Sequence, residues 1–258
     1  MTDIYSEYAG VIRDLRKYIS KLDIMELPNL YLNPALVSGL GQEKVTLPKK
    51  ESVTIQRSIE TNKTSLTDNK KKVELLEELK KKTMGCTKCD LHEGRNNLVF
   101  GEGSSSAELV LVGEAPGFQE DKEGKPFVGR AGQLLTKIIN AMGLDRQDVY
   151  ICNVLKCRPP SNRDPRPEEI IMCEGILLKQ LEIIQPKVIC AMGRFAAQTL
   201  LKTETTIGRL RGTFHDYHGI PLMPTYHPAY LLRNPHDKRK VWEDVQQIMV
   251  KLGLQVNK

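Results

Sequence analysis

The sequence predicts an α/β fold, a three-layer sandwich in which helices cover both faces of a mostly parallel, four-stranded central sheet. From Met84 onward, short apolar runs that suit buried strands alternate with longer segments of helical periodicity. Three of the apolar runs lead into loops rich in Gly and Pro. Loops at the carboxyl ends of parallel strands are where such folds bind ligands. An N-terminal extension of helix and linker precedes this region.

Strands and helices alternate in order along the chain. Strands are expected within 107–117, 148–157, 186–193 and 220–226. Helices are expected at 129–144, 167–184, 194–202 and 238–253. The helix at 167–184 has the clearest start, because Pro167 and two glutamates stand where the fixed φ of proline and the helix dipole favour them.

Residues 1–83 form the predicted extension, and 84–258 form the predicted main domain. Apolar residues at helical spacing predict a helix over about 5–22. The stretch 29–69 is rich in Ser, Thr, Lys and Pro and has too few apolar residues to bury a core, which is typical of a linker. From Lys70, Glu–Lys pairs three and four apart predict a solvated helix. Binding of an unidentified protein partner is one role open to the extension.

The composition is that of a globular protein and excludes collagen-like, mucin-like and wholly disordered classes. Of 258 residues, 40% are hydrophobic and 27% are charged. No apolar run approaches the ~20 residues of a membrane-spanning helix, and the N-terminus lacks the pattern of a secretory signal. We therefore expect a cytoplasmic monomer that has no membrane partner. The net charge of +6 permits a nucleic-acid partner without requiring one.

Six cysteines in a cytosolic chain favour buried thiols, metal ligands or catalytic groups over disulfides. Cys86 and Cys89 form a CxxC pair, which fits a zinc hairpin, a redox dithiol or part of an iron–sulfur site. With Cys157 and Cys173 they supply four thiolates, enough for a [4Fe–4S] cluster or a zinc ion. The alternative for the latter two is that they are buried apolar residues. The remaining cysteines lie inside apolar strands and are expected in the core: Cys152 and Cys190.

The loop after the first strand, GEAPG at 113–117, resembles a phosphate-binding turn. No GK[ST] follows it, and it is not GxGxxG, so a nucleotide triphosphatase is disfavoured. Phe127 follows in a loop between Pro and Gly. An aromatic ring at such a place either stacks on a ligand or packs under the loop, and the spacing alone leaves both interpretations open.

Three long motifs together resemble the family 4 uracil-DNA glycosylases, the iron–sulfur type. The motifs are GEAPGFQEDKEGKPFVGRAGQLL, NVLKCRPPSNRDPRPEE and PTYHPAYLLRNP, and the resemblance runs from about Met84 to Leu252. It implies a uracil-DNA glycosylase-like fold and a monofunctional enzyme of base excision repair. Such an enzyme flips uracil out of single- or double-stranded DNA, hydrolyses the N-glycosidic bond and leaves an abasic site. It also implies a [4Fe–4S] cluster held by the four cysteines, Cys86, Cys89, Cys157 and Cys173.

The resemblance also assigns substrate-binding roles. Glu114 and Ala115 would line the base and the attacking water. Gly117 would also bind the base, and Phe127 would stack on it. Asn153 would read the uracil edge, because an amide can pair with both N3–H and O4. His227 would face uracil O2 and stabilise the anion that departs.

The group that activates water is left open by the resemblance. Other uracil-DNA glycosylases often have a water-activating aspartate where this chain has Ala115. We hypothesise that Glu114 or Glu120 contributes, since both carboxylates stand beside the turn. Glu120 has a second possible role, the exclusion of the thymine methyl group. The alternative for both is a solvated loop carboxylate.

Basic residues cluster on the loops that carry the motifs, and Lys156 belongs to one such cluster. They are expected to contact phosphates at the pocket mouth, with a solvated basic surface as the alternative. Leu231 and its neighbour Leu232 could wedge into the base stack or face the core from the first turn of a helix. The residues expected to contact DNA are Arg158, Arg163, Arg209, Arg211, Leu231 and Arg233.

Two other functions compete with the glycosylase. One is a non-catalytic nucleic-acid-binding iron–sulfur protein that has lost the base pocket, which the intact Phe127, Asn153 and His227 argue against. The other is a redox iron–sulfur carrier, which the wide spacing of the four cysteines disfavours.

Overall fold

One mixed sheet organises the part of the chain that the structure, a computed structural model, describes, residues 57–256. Its strands are β1 Glu102–Gly103, β2 Leu109–Gly113, β3 Tyr150–Asn153, β4 Val188–Met192, β5 His215–Tyr217 and β6 Ile220–Thr225. Their order across the sheet is β1-β3-β2-β4-β6-β5. The four central strands are parallel, and β1 and β5 pair antiparallel at the two edges. The predicted parallel centre is confirmed, and two strands too short to be predicted extend it.

Helices connect the strands. They are α1 Arg57–Met84, α2 Leu91–Gly94, α3 Phe118–Glu123, α4 Arg130–Ala141, α5 Pro167–Ile184, α6 Arg194–Leu201, α7 Ile207–Leu210, α8 Pro228–Arg233 and α9 Lys238–Leu252. None of these described helices is long and apolar enough to cross a membrane. The helix predicted over 5–22 and most of the predicted linker lie outside the described residues, and the linker's last residues, from Arg57, belong to α1.

Along the buried strands, alternate side chains pack into two separate hydrophobic cores, one on each face of the sheet. Val110 and Val112 of β2 pack with α1, α5 and α6, whereas Leu109 and Leu111 pack with α4 and α9. This follows from the two-residue repeat of a strand, which sends neighbouring side chains to opposite faces. Cys152 belongs to the first core and is fully buried. Cys190 belongs to the second and is 2% exposed, as expected of core thiols.

The charged helix α1 is not solvated on all sides. Leu76 and Leu79 are 7% and 8% exposed and pack in the core beside α5. Lys72 also donates to the carbonyl of Ile184 at the end of α5, at 3.0 Å. Helix α1 belongs to the same compact unit as the sheet. The division at residue 83 into an extension and a main domain stays a prediction. The Glu–Lys pairs concealed the packing of α1, because they occupy only the outer face of the helix.

We predict that Leu79→Ala lowers the free energy of unfolding by roughly 2–3 kcal/mol, because it leaves a cavity between α1 and the core. Leu75→Ala on the same helix is the matched control and should cost less than about 1 kcal/mol, since Leu75 is 39% exposed. Urea unfolding followed by circular dichroism measures both. Equal losses would show that α1 does not pack as described.

Candidate active site

A cavity of about 430 Å³ opens at the carboxyl ends of β2, β3 and β6. This edge of a parallel sheet is where the connecting loops converge. The loops bring together nine of the predicted site residues, from stretches more than 100 residues apart in the sequence. They are Glu114, Ala115, Gly117, Glu120, Phe127, Asn153, Arg163, His227 and Arg233.

Phe127 is held at the floor of this cavity by a strained turn and by two close glycines. Its φ is +53°, and its side chain is 6% exposed. A Cβ on Gly113 would lie 2.6 Å from the Phe127 ring, and a Cβ on Gly132 would lie 1.9 Å from its carbonyl oxygen. Both positions therefore require glycine. Phe127 packs on the core, as one of the two interpretations expects, and it also lines the cavity. Stacking of its ring on a ligand stays a prediction.

Glu120 fastens the turn that carries Phe127. Its Oε1 accepts hydrogen bonds from the backbone N–H groups of Val128 and Gly129, both at 3.0 Å. Gly129 directly precedes α4, so the carboxylate stands where the helix dipole favours negative charge. The interpretation of Glu120 as a solvated loop carboxylate is therefore wrong.

Asn153 ends β3 and presents an amide without a protein partner. In the described part of the chain, its Oδ1 is buried and accepts no hydrogen bond. Its backbone carbonyl, in contrast, accepts from Lys156 Nζ at 2.7 Å, and the same amine donates to Gln180 Oε1 at 2.7 Å. An unpaired buried amide costs stability, so its presence in a cavity indicates a ligand that pairs with it.

The prediction that Lys156 belongs to a basic surface on the loop after β3 is wrong. Its side chain is fully buried, and burial lowers the pKa of its amine. Gln180, the partner of Lys156, donates in turn to the Phe100 carbonyl and to the Tyr150 hydroxyl. The amine thus anchors the end of β3 to α5 from beneath and contributes nothing to a surface for phosphates.

His227 is a neutral imidazole at physiological pH. Burial lowers its pKa to about 4, opposed by nearby Glu120 and assisted by Arg233. Its Nδ1 accepts the backbone N–H of Ala229 at 3.1 Å, so the proton of the neutral ring resides on Nε2. Its ring centroid lies 5.5 Å from that of Phe127. The cavity thus contains a neutral N–H donor beside an aromatic ring.

Glu114 is a carboxylate that lines the cavity. Burial raises the pKa of Glu114 to about 7, and the carboxylate of Asp164 adds to the rise while Arg194 opposes it. A carboxyl group with a pKa near neutrality can accept a proton from a reacting group at physiological pH.

The arginines predicted to contact DNA divide into two groups. The first group, Arg163 and Arg211, forms ion pairs within the protein. Arg163 forms an ion pair with Glu169. Arg211 is 15% exposed and is bonded to the buried Asp244, so its predicted surface role is wrong. Arg158, Arg209 and Arg233 form the second group, and no ion pair involves them among the described residues. Of these, Arg233 lines the cavity, and Arg209 does not.

The predicted wedge at Leu231 is also wrong. Its side chain is 1% exposed and packs in the core under α8, so it cannot reach a base stack while the helix is folded. The neighbouring Leu232 is the one that faces outward, at 39% exposed. The helical period explains the error, because adjacent residues of a helix point in different directions.

The four cysteines of the predicted metal site gather beside the first core. Cys157 and Cys173 are buried in it, and Cys86 and Cys89 pack against it. Burial raises the pKa of Cys89, and the neighbouring thiols of Cys157 and Cys86 raise it further. Burial likewise raises the pKa of Cys173 to about 12. Within the described residues, no three His, Cys, Asp or Glu side chains stand close enough to hold a single metal ion.

Comparison with known proteins gives the family. The model of the Uracil DNA glycosylase superfamily matches residues 100–246, more than half of the chain. The chain is 47% identical over 184 residues to a type-4 uracil-DNA glycosylase of Archaeoglobus fulgidus, covering 68% of this chain and 92% of the relative. The chain belongs to the type-4 uracil-DNA glycosylase family. The relative from Thermotoga maritima, also a type-4 uracil-DNA glycosylase, is 48% identical over 67% of this chain and 93% of its own length.

For this type-4 family member, sequence reasoning missed several cavity residues, among them Asn162 and Tyr230. Tyr230 stands three residues after His227, which places both on one face once α8 forms. That spacing was a signal for Tyr230. Asn162 lies in the turn Pro160–Asn162. The sequence there shows only a cluster of turn-forming residues, which predicts a turn but does not indicate that the turn lines the cavity.

Proposed function

We propose that this chain is a monomeric, monofunctional glycosylase that removes uracil from single- or double-stranded DNA and leaves an abasic site. The observation that carries the proposal is the cavity in which Phe127, His227 and the unpaired amide of Asn153 meet. The type-4 family membership supports it. Among the described residues no lysine lines this cavity, so no amine there could form a Schiff base with the abasic sugar.

Base recognition is assigned to Phe127 and Asn153. The uracil flips out of the DNA and stacks on the Phe127 ring. Oδ1 of Asn153 accepts the N3–H of uracil, and its Nδ2 donates to O4. Cytosine offers an acceptor at N3 and a donor at the adjacent position, so this amide orientation would leave both pairs mismatched. A site that leaves buried polar groups unpaired rejects the wrong ligand strongly.

Bond cleavage is assigned to His227. When the bond between the sugar C1′ and uracil N1 breaks, its electron pair moves into the uracil ring and places negative charge on O2. The Nε2–H of the neutral imidazole donates to that oxygen, and no proton needs to leave the ring.

Water attack is assigned to Glu114. The sugar develops positive charge at C1′, and a nearby carboxylate both stabilises it and orients the water that attacks. The attacking water releases a proton, which an ionised Glu114 accepts. Glu120 acts through position instead, since it fixes the Phe127 turn.

The four cysteines suit a [4Fe–4S] cluster. A [4Fe–4S] cluster would take one thiolate from each of Cys86, Cys89, Cys157 and Cys173, so it would not require three of them to hold one metal ion. Donors to sulfur are also in place, because Arg95 Nη1 lies 3.2 Å from Cys157 Sγ, and the backbone N–H of Lys156 lies 3.3 Å from Cys173 Sγ. Such donors stabilise thiolate charge. We assign the cluster a structural role, joining the segment after α1 to β3 and α5.

DNA contact is assigned to the three predicted arginines that form no ion pair within the described residues: Arg158 and Arg209, which do not line the cavity, and Arg233, which does. Their positive charge would neutralise phosphates of the strand that carries the uracil, so affinity should fall as salt rises.

The function is tested with oligonucleotides that contain one uracil, incubated with the protein and then treated with hot alkali. We expect strand breaks at the uracil. Asn153→Ala and His227→Ala should each lower the single-turnover rate by about 10²-fold, because each removes a group that binds the base or its anion. His236→Ala is the matched control and should leave the rate unchanged, since His236 is exposed. A folded, metal-loaded wild type that breaks no strand would favour the non-catalytic alternative.

The pH dependence tests Glu114. If its ionised form is required, the single-turnover rate should rise with pH up to about 7 and become constant above it, because the carboxyl loses its proton across that range. Glu114→Gln should be slower by about 10²-fold and lose this dependence. A Glu114→Gln enzyme that keeps the wild-type profile would assign the titration to another group.

The cluster is tested by colour and metal content. The purified protein should be yellow-brown, with absorbance at roughly 400 nm from thiolate–iron charge transfer. Cys157→Ser should lose iron and absorbance, whereas Cys190→Ala should keep both, since Cys190 lies in the other core. Colourless wild-type protein that contains zinc would contradict the assignment.

A further inference from the structure

One aromatic side chain at the mouth of the cavity is left uncovered by the fold. Phe118 begins α3, directly after Gly117, which lines the cavity. It is 54% exposed, and it is the only exposed Phe, Tyr or Trp among the residues from Asp68 to Val256. Exposure of a phenyl ring forgoes the favourable burial of its apolar surface, so an isolated exposed ring beside a binding site indicates a ligand that covers it.

Arg158 pairs with this ring from the neighbouring strand's loop. Its guanidinium carbon lies 5.2 Å from the Phe118 ring centroid. Its Nε also donates to Asn162 Oδ1 at 2.7 Å, and Asn162 lines the cavity. The arginine is therefore fixed at the mouth of the cavity by two contacts. A phenyl ring and a guanidinium plane are the two protein surfaces on which unpaired nucleobases stack.

We propose that Phe118 and Arg158 form a stacking platform for the nucleobase next to the flipped uracil in single-stranded DNA. The proposal rests on the proposed function, because the uracil in the cavity determines where the neighbouring base lies. Duplex DNA keeps that base stacked within its own helix, whereas a single strand leaves the base free to turn onto a protein ring. The platform therefore favours uracil in single strands.

Charge near the platform suits a nucleic acid rather than an apolar partner. Arg163 and Arg233 line the same cavity, although Arg163 shares its charge with Glu169. Glu114 and Glu120 are the carboxylates that line it. The positive charges of the half-buried Arg158 and the exposed Arg233 can therefore contact the phosphates on either side of the flipped nucleotide. An apolar peptide or lipid would have to cover these charges without neutralising them.

The test uses single-stranded oligonucleotides with one uracil, in which the base on its 5′ or its 3′ side is replaced by a tetrahydrofuran spacer. For the wild type, the spacer on one of the two sides should lower kcat/KM by roughly 10-fold, since each stacked base contributes on that order. Phe118→Ala should lose about the same factor on the intact strand and lose nothing further with the spacer. Phe118→Trp should retain the wild-type pattern.

Two further variants keep the outcome interpretable. Phe118→Leu keeps apolar bulk without a π-face, so it should behave as the alanine variant does. Val250→Ala removes an exposed apolar side chain that does not line the cavity and should match the wild type. An undiminished spacer penalty in Phe118→Ala, or no spacer penalty in the wild type, would overturn the platform. Absence of uracil release from every strand would instead overturn the proposed function.

Discussion

The close approach of the Phe127 turn to the end of β2 is the constraint on which the cavity depends. Gly113 has no side chain, so the Phe127 ring and the Asn153 amide can both occupy the space where a Cβ would stand. Gly132 permits the same approach from α4, and Glu120 fixes the turn from the opposite side. The positive φ of Phe127 is a local cost that these contacts offset.

Strand β3, which ends at Asn153, is supported by a polar network inside an apolar core. Lys156 joins the carbonyl of Asn153 to Gln180 of α5, the helix that also carries Cys173. The proposed cluster would thus bind Cys173 of the same helix that supports the end of β3 through Gln180 and Lys156. Loss of the cluster would therefore disturb the support of Asn153 before it disturbed the opposite side of the cavity.

Most of the sheet and the main helices could be predicted from the sequence, because their apolar periodicity is strong. Helix α5 was predicted with its observed ends, since Pro167 marks its start. The edge strands β1 and β5 could not be predicted, because two or three residues are too few to show the alternation of apolar and polar side chains that indicates a strand. The cavity residues came from motif resemblance, whereas burial could not be predicted. The sequence predicts Lys156 at a basic surface and leaves Leu231 open between a wedge and a core position, because charge and spacing do not reveal which side a short segment faces; both side chains are buried.

We propose that one cavity at the edge of the sheet binds the extruded uracil. A crystal structure of the protein with the abasic-DNA product and free uracil would show where the base lies. We expect the uracil ring against Phe127, with its N3–H and O4 on the Asn153 amide and its O2 facing His227 Nε2. Uracil bound elsewhere, or a base turned so that O2 meets Asn153, would rule out this mode of binding.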